Sequence, residues 1–462
     1  MNRRKNDDGN VIGKMEKKGL NIFKEALKSA TCVALGAFAL FMAVSCEKAV
    51  TAKDVVYQTK DKTILAYFID NNNIASYAVN SINQIINGYL PDNGYVLIYT
   101  DNINTSTMTV RDTMPLLINV YKNSAGTVVT DTVYRFPGQN SATKAALKSA
   151  IQVAKTMFPA TEMGLVLWSH GTGWLPAGYY ASGTFSSGVI TAELQERAEE
   201  MTALRTLKKL SGENKVKPFV NTWSSPPGGI DPYANMVKSF GLDNKTEMSI
   251  IDLAAAIPCK LDFIAFDACL MGGIEVAYQL KDSTNYVIFS PAEVLTSSFP
   301  YNTIMKPLFG GDYAAAAKAY NDYYAAQSGD SQSSTIAVVK TSALAEVAAQ
   351  AKLIFDANRD KIQALDLSGI QPYFRYDKHW FYDINDFIVN LVGVNAASAF
   401  TAALNNAVVA KYTTGKILNL TIDPAKFSGV STYINNPANS TLDAFYQNFA
   451  WEKAANMTAA GN

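Results

Sequence analysis

The stretch Leu261-Asp-Phe-Ile-Ala-Phe-Asp-Ala-Cys269 constrains this 462-residue chain more than any other. A short apolar run with aromatic and aliphatic side chains, closed by an acid, suits a strand buried on both faces, as in a parallel sheet. Leu270–Leu280 then reads as an amphipathic helix, so Cys269 falls where a buried strand hands over to a helix. In open α/β sheets that carboxyl edge is where ligands bind. A helix N-terminus close by favours thiolate over thiol. Such a thiol needs a base before it can do chemistry.

The same strand pattern recurs along the chain. Thr63–Asp70, Tyr95–Tyr99, Pro115–Tyr121, Gly164–Ser169 and Tyr286–Ser290 read as strands, with Thr127–Tyr134 pairing with Pro115–Tyr121 as an edge hairpin. Between them, Ile82, Ile85 and Ile86 mark one helix face. Leu147, Ile151, Ala154 and Phe158 mark another, with Ser141 as its N-cap and Pro159 as its stop. Later come a helix over Ser249–Ile257, helices near Tyr313–Gln327 and Leu344–Ala357 around a strand at Ser334–Val339, and aromatics clustered from Tyr373 to Phe387. The tail adds a helix near Ala396–Val409 and strands at Ile417–Ile422 and Ser428–Ile434. Strands alternating with helices predict a doubly wound α/β sheet. From Leu175 to about Lys245 the pattern loosens into Gly, Ser and Pro clusters around one charged helix, Ala192–Leu210. Irregular insertions of that length are usually functional or mobile.

The N-terminus has a different character. Basic residues dominate positions 1–28, Ser29–Ser45 carries no charge, and the run stops at Cys46. This is the pattern of a secretory signal peptide, with translation beginning at Met1 or at Met15. Ala43-Val-Ser-Cys46-Glu resembles the lipobox of bacterial lipoproteins, in which the cysteine becomes the lipidated first residue. The rival is an uncleaved anchor, since roughly 18 uncharged residues is the lower limit for a spanning helix. The expectation is a signal peptide over 1–45 and an exported chain lipid-anchored in the bacterial cell envelope through Cys46, with exposure at the cell surface open. A polar tether follows over 46–62.

Forty basic and forty acidic side chains cancel, so no overall field attracts nucleic acid, and no nucleic-acid partner is expected. The chain has two histidines, His170 and His379, and four cysteines, Cys32, Cys46, Cys259 and Cys269. No Cys-x-x-Cys or His-x-x-x-His spacing occurs, so no zinc cluster is drawn. The scarcity narrows the search for a base to two residues.

Gly164–Ser169 ends in His170-Gly171-Thr-Gly173-Trp174. If that strand and Leu261–Asp267 are parallel neighbours about 4.8 Å apart, His170 and Cys269 project from one edge as a thiolate–imidazole pair. Gly171, without a Cβ, lets its N–H approach a substrate carbonyl, and with the Cys269 N–H it could stabilise an oxyanion. Single Cys or His residues beside strands are most often core packing. Two at strand ends, each beside the right glycine or acid, favour the catalytic reading. His379, among Tyr373, Phe374, Trp380 and Phe381, reads as a stacked structural histidine. Cys259 reads as a buried thiol, with a Cys259–Cys269 disulfide as the alternative for an exported chain. Gly171-x-Gly173 is a weak phosphate-loop signal, because Trp174 and Pro176 follow instead of a helix.

At these residues the chain resembles the clostripain family of cysteine peptidases, in the caspase-like clan. Trp168-Ser-His170-Gly171-Thr-Gly173-Trp174 is similar to the family's Trp-Asn-His-Gly-x-Gly-Trp block, with serine for asparagine, and Asp267-Ala-Cys269-Leu-Met271 matches its second block. Weaker similarities lie at Ala66–Asn72, Ser290–Glu293, Phe299-Pro-Tyr301, Tyr382–Phe387 and Gly429–Tyr433. The resemblance implies a caspase-like α/β/α sandwich with a mostly parallel sheet. A peptidase domain over 63–365 would carry the 175–245 insertion as a candidate activation loop, and a small C-terminal subdomain over 366–462 would pack on it. It implies a cysteine endopeptidase with His170 as base and Cys269 as nucleophile, acting on protein or peptide substrates after Arg or Lys. Asp267 is the matching pocket acid. A second acid is not evident where the family places one, near Thr296–Ser298, and Glu293 is the nearest carboxylate. Family zymogens are cut between the two blocks, where this chain offers Arg205, Lys208, Lys209, Lys215 and Lys217. No cofactor is required. Asp383 and Asp386 are candidates for the calcium some relatives use, with a capping role as the alternative. The other readings are a lipoprotein that keeps the fold as a peptide-binding module without turnover, and, by clan analogy alone, a transpeptidase.

Overall fold

The structure is a computed structural model that describes residues 57–101, 103–104, 109–110, 114–176, 240–243, 246–374, 380–435 and 440–458. These belong to one compact unit, Val56–Asn462. The expected signal peptide, Cys32, Cys46, most of the tether, the 192–210 helix with its candidate cleavage sites, and His379 lie outside the described residues.

Nine strands form the main sheet: β1 (Lys60–Phe68), β2 (Gly94–Thr100), β3 (Leu116–Lys122), β4 (Val128–Arg135), β5 (Ala160–Trp168), β6 (Leu261–Asp267), β7 (Thr284–Phe289), β8 (Thr335–Lys340) and β9 (Val408–Thr413). Their order is β9-β8-β7-β6-β5-β1-β2-β3-β4. The central run from β7 to β2 is parallel throughout. Two antiparallel strands flank it on each side. The central strands are buried on both faces, as their unbroken apolar runs require.

Alternation along each strand assigns the two cores. Leu65, Tyr67, Leu165, Leu167, Ile264 and Phe266 face one layer of helices: α2 (Lys144–Met157), α3 (Ile250–Ala256), α4 (Ile274–Gln279), α7 (Leu344–Gln363), α8 (Ile384–Val392), α9 (Val394–Ala407), α10 (Ser440–Tyr446) and α11 (Ala450–Ala455). Ile64, Ala66, Phe68, Val166, Trp168 and Phe263 face the other: α1 (Ala75–Ile86), α5 (Tyr301–Phe309) and α6 (Tyr313–Ala325). The result is the expected caspase-like α/β/α sandwich. Gly164 on β5 shows how tightly it is packed: a Cβ there would stand 2.1 Å from the Phe263 ring across the ladder. The glycine admits that ring, whose burial contributes roughly 2–3 kcal/mol.

Four local expectations change. The fold begins earlier than Thr63, because β1 opens at Lys60 and Tyr57 stacks on Phe158 with ring centroids 4.2 Å apart. The N-cap of α2 is Thr143, which accepts from the Ala146 N–H at 3.2 Å, whereas Ser141 bonds the Tyr99 hydroxyl at 2.9 Å. The helix expected over Leu270–Leu280 starts only at Ile274. Leu270 takes a left-handed φ of 60°, and its N–H and that of Gly272 donate sideways to Ala292 O (2.8 Å) and Ser290 O (2.7 Å) instead of entering a helix. Finally β9, within the segment expected as a C-terminal subdomain packed on the peptidase domain and read there as the end of a helix, hydrogen-bonds to β8 as the outermost strand of the main sheet. Among the described residues no helix is long and apolar enough to cross a membrane.

Candidate active site

β5 and β6 are parallel neighbours with Trp168 opposite Asp267. Continuing that register by two residues sets His170 opposite Cys269, so the fold brings the expected pair to one point on the carboxyl edge. Both line a cavity of about 40 Å³, together with Ile74, Trp168, Asp267 and Ser298.

Each reactive residue is held by the loops around it. The His170 carbonyl accepts from the Gly241 N–H at 2.9 Å, and Gly171 bridges Phe240, so the His loop is flanked by residues 240–243. Nε2 of His170 lies 3.0 Å from Asn73 Oδ1. An amide oxygen only accepts, so Nε2 is the donor in this contact. Asn73 follows Asn72, which anchors the loop after β1 by donating to Ile69 O (2.8 Å) and Leu242 O (2.9 Å). Sequence reasoning missed Asn73; the Ala66–Asn72 block pointed to the loop but stopped one residue short of it.

Cys269 is a free thiol, as is Cys259. They stand at opposite ends of β6, whose seven residues span about 20 Å at strand geometry. That separation rules out the alternative disulfide. The Val294 N–H points at Cys269 Sγ from 3.3 Å. The Val294 carbonyl also accepts from the thiol at 3.5 Å, so Val294 holds the sulfur in place; α4 begins several residues further on and its N-terminus does not take the role expected of it.

The two loops interlock through glycines. A Cβ on Gly171 would lie 2.5 Å from Cys269 O and 2.9 Å from Met271 Sδ. Gly173, at φ 60°, would place one 2.5 Å from Leu270 O. The Gly-x-Gly pattern therefore serves close loop packing, and the phosphate-loop signal lapses.

Asp267 is 4% exposed, and three donors converge on its Oδ2: the Ser298 hydroxyl, the Tyr301 hydroxyl at 2.7 Å and the Phe299 N–H at 3.1 Å. Burial pushes its pKa up to about 6, with these three hydrogen bonds opposing the rise. Glu293, the other expected pocket acid, does not line this cavity. Asp383 and Asp386 have filled oxygens. Asp383 caps α8 and accepts from Tyr373 (2.6 Å) and the Ser428 N–H (2.6 Å). Asp386 accepts from the Gln371 N–H (2.8 Å) and Asn390 (3.0 Å). Asp383 is thus a helix cap, and Asp386 ties α8 to Gln371, with Lys426 Nζ 3.5 Å from its Oδ2.

The tail braces the nucleophile loop from behind. Gly272 O accepts from the Ser431 N–H at 2.8 Å, and Glu275, fully buried on α4, accepts on Oε1 from the Tyr433 N–H (2.9 Å), Tyr446 (2.7 Å) and Thr432 (3.1 Å). Burial raises the Glu275 pKa to about 7 against these hydrogen bonds. Trp174 packs on Tyr433 and Tyr446 with centroids at 4.6 and 5.2 Å, joining the His loop to the same support.

Comparison with known proteins agrees with this layout. The model of the clostripain family matches residues 66–186 and 230–458. An inactive zymogen C11 protease from Parabacteroides distasonis has a similar structure, with a TM-score of 0.65 at 28% identity, covering 87% of this chain and 99% of its own. A secreted C11 cysteine protease from Bacteroides thetaiotaomicron, solved with an irreversible peptide inhibitor, gives 0.62 at 25% identity over 86% of this chain and 98% of its own. A further structure of a secreted C11 cysteine protease from Bacteroides thetaiotaomicron, at 21% identity and a TM-score of 0.64, covers 86% of this chain and 100% of its own and shares the fold. No curated protein matches the chain.

Proposed function

This chain belongs to the clostripain family and is a cysteine endopeptidase, and from that premise we propose that Cys269 and His170 hydrolyse peptide bonds as a dyad. The observation that carries the proposal is the β5–β6 register, which delivers the thiol and the imidazole to one small cavity. His170 takes the thiol proton through Nδ1 while Asn73 holds the ring from Nε2. The thiolate attacks the scissile carbonyl, and the resulting oxyanion is received by the N–H groups of Gly171 and Cys269. His170 then protonates the leaving amine, and water hydrolyses the thioester.

Asp267 is the acid for a basic side chain preceding the scissile bond, with Arg or Lys as the preferred residue. Its burial beside Cys269, with Ser298, Phe299 and Tyr301 as hydrogen-bond partners and no cation among them, supports that role. The chemistry needs no cofactor, and calcium would act outside the dyad. The zymogen state of the Parabacteroides distasonis relative supports activation by cleavage in the 175–245 segment. The secreted relative and the sequence ahead of Cys46 support export and lipid anchoring.

The test is labelling with a thiol-reactive peptide probe, with hydrolysis of peptide libraries alongside. Wild type should be labelled at Cys269 and turn over substrates, and Cys269→Ala should do neither. A folded wild type that neither labels nor cleaves, with or without calcium, would sink the dyad and leave a peptide-binding module.

A further inference from the structure

The hydroxyl of Ser298 donates to Asp267 Oδ2 and in turn accepts from the Trp168 indole N–H at 2.9 Å. An indole N–H can only donate, so the single hydroxyl proton of Ser298 is committed to Asp267. With Tyr301 and the Phe299 N–H on the same atom, Oδ2 has its full complement of donors. Among the described residues, every hydrogen bond to this carboxylate falls on one oxygen, leaving Oδ1 to meet a substrate. Ser298 sits at φ 69°, a backbone region that costs a non-glycine residue energy. An observed strain of this kind at a pocket wall points to a function for the side chain.

We infer that Ser298, Phe299 and Tyr301, by filling one oxygen of Asp267, make the primary pocket select lysine over arginine. The inference deepens the proposal that Asp267 is the pocket acid, and it rests on that reading. A guanidinium recognises a carboxylate best as a fork, with two parallel N–H groups on two oxygens. Here one oxygen is closed to it. An ammonium is a compact charge that needs one carboxylate oxygen, and its remaining protons can be met by a neutral acceptor such as Thr296 along the wall. Among the residues lining the cavity Asp267 is the only acid, so no second carboxylate restores the fork. The small cavity also suits a slender alkyl ammonium better than a planar guanidinium.

The experiment uses the full chain and three fluorogenic peptides that differ only in the residue before the cleaved bond: lysine, arginine or norleucine. Lysine should exceed arginine in kcat/KM by roughly tenfold or more, with norleucine far below both. The double variant Ser298→Gly/Tyr301→Phe, with glycine at a φ it adopts freely, leaves only the Phe299 N–H on Oδ2 and should move the lysine-to-arginine ratio toward arginine by roughly tenfold. Arginine equal to or better than lysine in the wild type, or a ratio left unchanged in a folded Ser298→Gly/Tyr301→Phe protein, overturns the inference while leaving Asp267 as the pocket acid. Norleucine cleaved as well as lysine removes Asp267 from the pocket and overturns the inference together with the basic preference.

Discussion

Gly171 and Cys269 meet backbone to backbone: a Cβ on the glycine would stand 2.5 Å from the cysteine carbonyl oxygen. The loop that carries the base and the loop that carries the nucleophile thus lock to each other through the absence of one carbon. Neither strand alone imposes that distance; it arises because β5 and β6 are neighbours in register.

Gly171→Ala should therefore separate the loops. Because the clash is with backbone, relief requires the loop to move, at a cost of about 1–3 kcal/mol in stability. The loss of activity should be larger, on the order of 100-fold in kcat/KM, because displacement of about 1 Å at a reacting pair has that effect. Thermal unfolding and steady-state kinetics on the same preparation check both. A variant that keeps wild-type kcat/KM would show that the interlock does not position the dyad.

Asn73→Ala removes the acceptor from His170 Nε2. The ring loses its orientation and its tautomer preference, so kcat should fall roughly 10- to 100-fold with KM little changed. Cys269 should remain reactive toward a small thiol reagent. Loss confined to KM would assign Asn73 to substrate binding instead.

Asp267 gives a pH signature. With its pKa raised to about 6 in the free protein, it is protonated at lower pH and has no charge to offer a cationic side chain. Values of kcat/KM for a lysine substrate should climb as pH rises through about 6, and a norleucine substrate should lack that limb. Identical acid limbs for the two substrates would remove Asp267 from recognition.

Glu275 gives a second one, read in stability. Its folded pKa of about 7 lies above the ordinary 4.5. The stabilising contribution of its protonated form is complete below 4.5 and is lost as pH rises through 7. The difference is on the order of 3 kcal/mol. Glu275→Gln keeps an acceptor for Tyr433, Tyr446 and Thr432 but cannot ionise. Its melting temperature should drop less between pH 5 and pH 8 than that of the wild type, as differential scanning fluorimetry would show. Equal drops would mean that the buried carboxyl stays in one protonation state across that range.

Much of this site was readable in the chain. The blocks around His170 and Cys269 each end an apolar run, and with two histidines in the whole sequence the base had few candidates. The helix layers were legible from their stripes, as at Leu147, Ile151 and Ala154. The start of α4 was not, because apolar periodicity continues through Leu270 and Met271 while the N–H groups of Leu270 and Gly272 donate to Ala292 and Ser290. Nor was β9 legible, because its half-exposed residues carry no continuous apolar signal.

The sequence alone determined the central strands, the family, and the identities of the thiol and the imidazole, since periodicity and motif are local properties of the chain. Tertiary structure decided that the two strands lie side by side with Trp168 opposite Asp267. It also placed Asn73 on His170 and Val294 on Cys269, and filled one oxygen of Asp267 with Ser298, Phe299 and Tyr301. The physical reason is that each of these contacts joins residues dozens of positions apart, and hydrogen-bond geometry and burial exist only after the sheet has brought its carboxyl edge together.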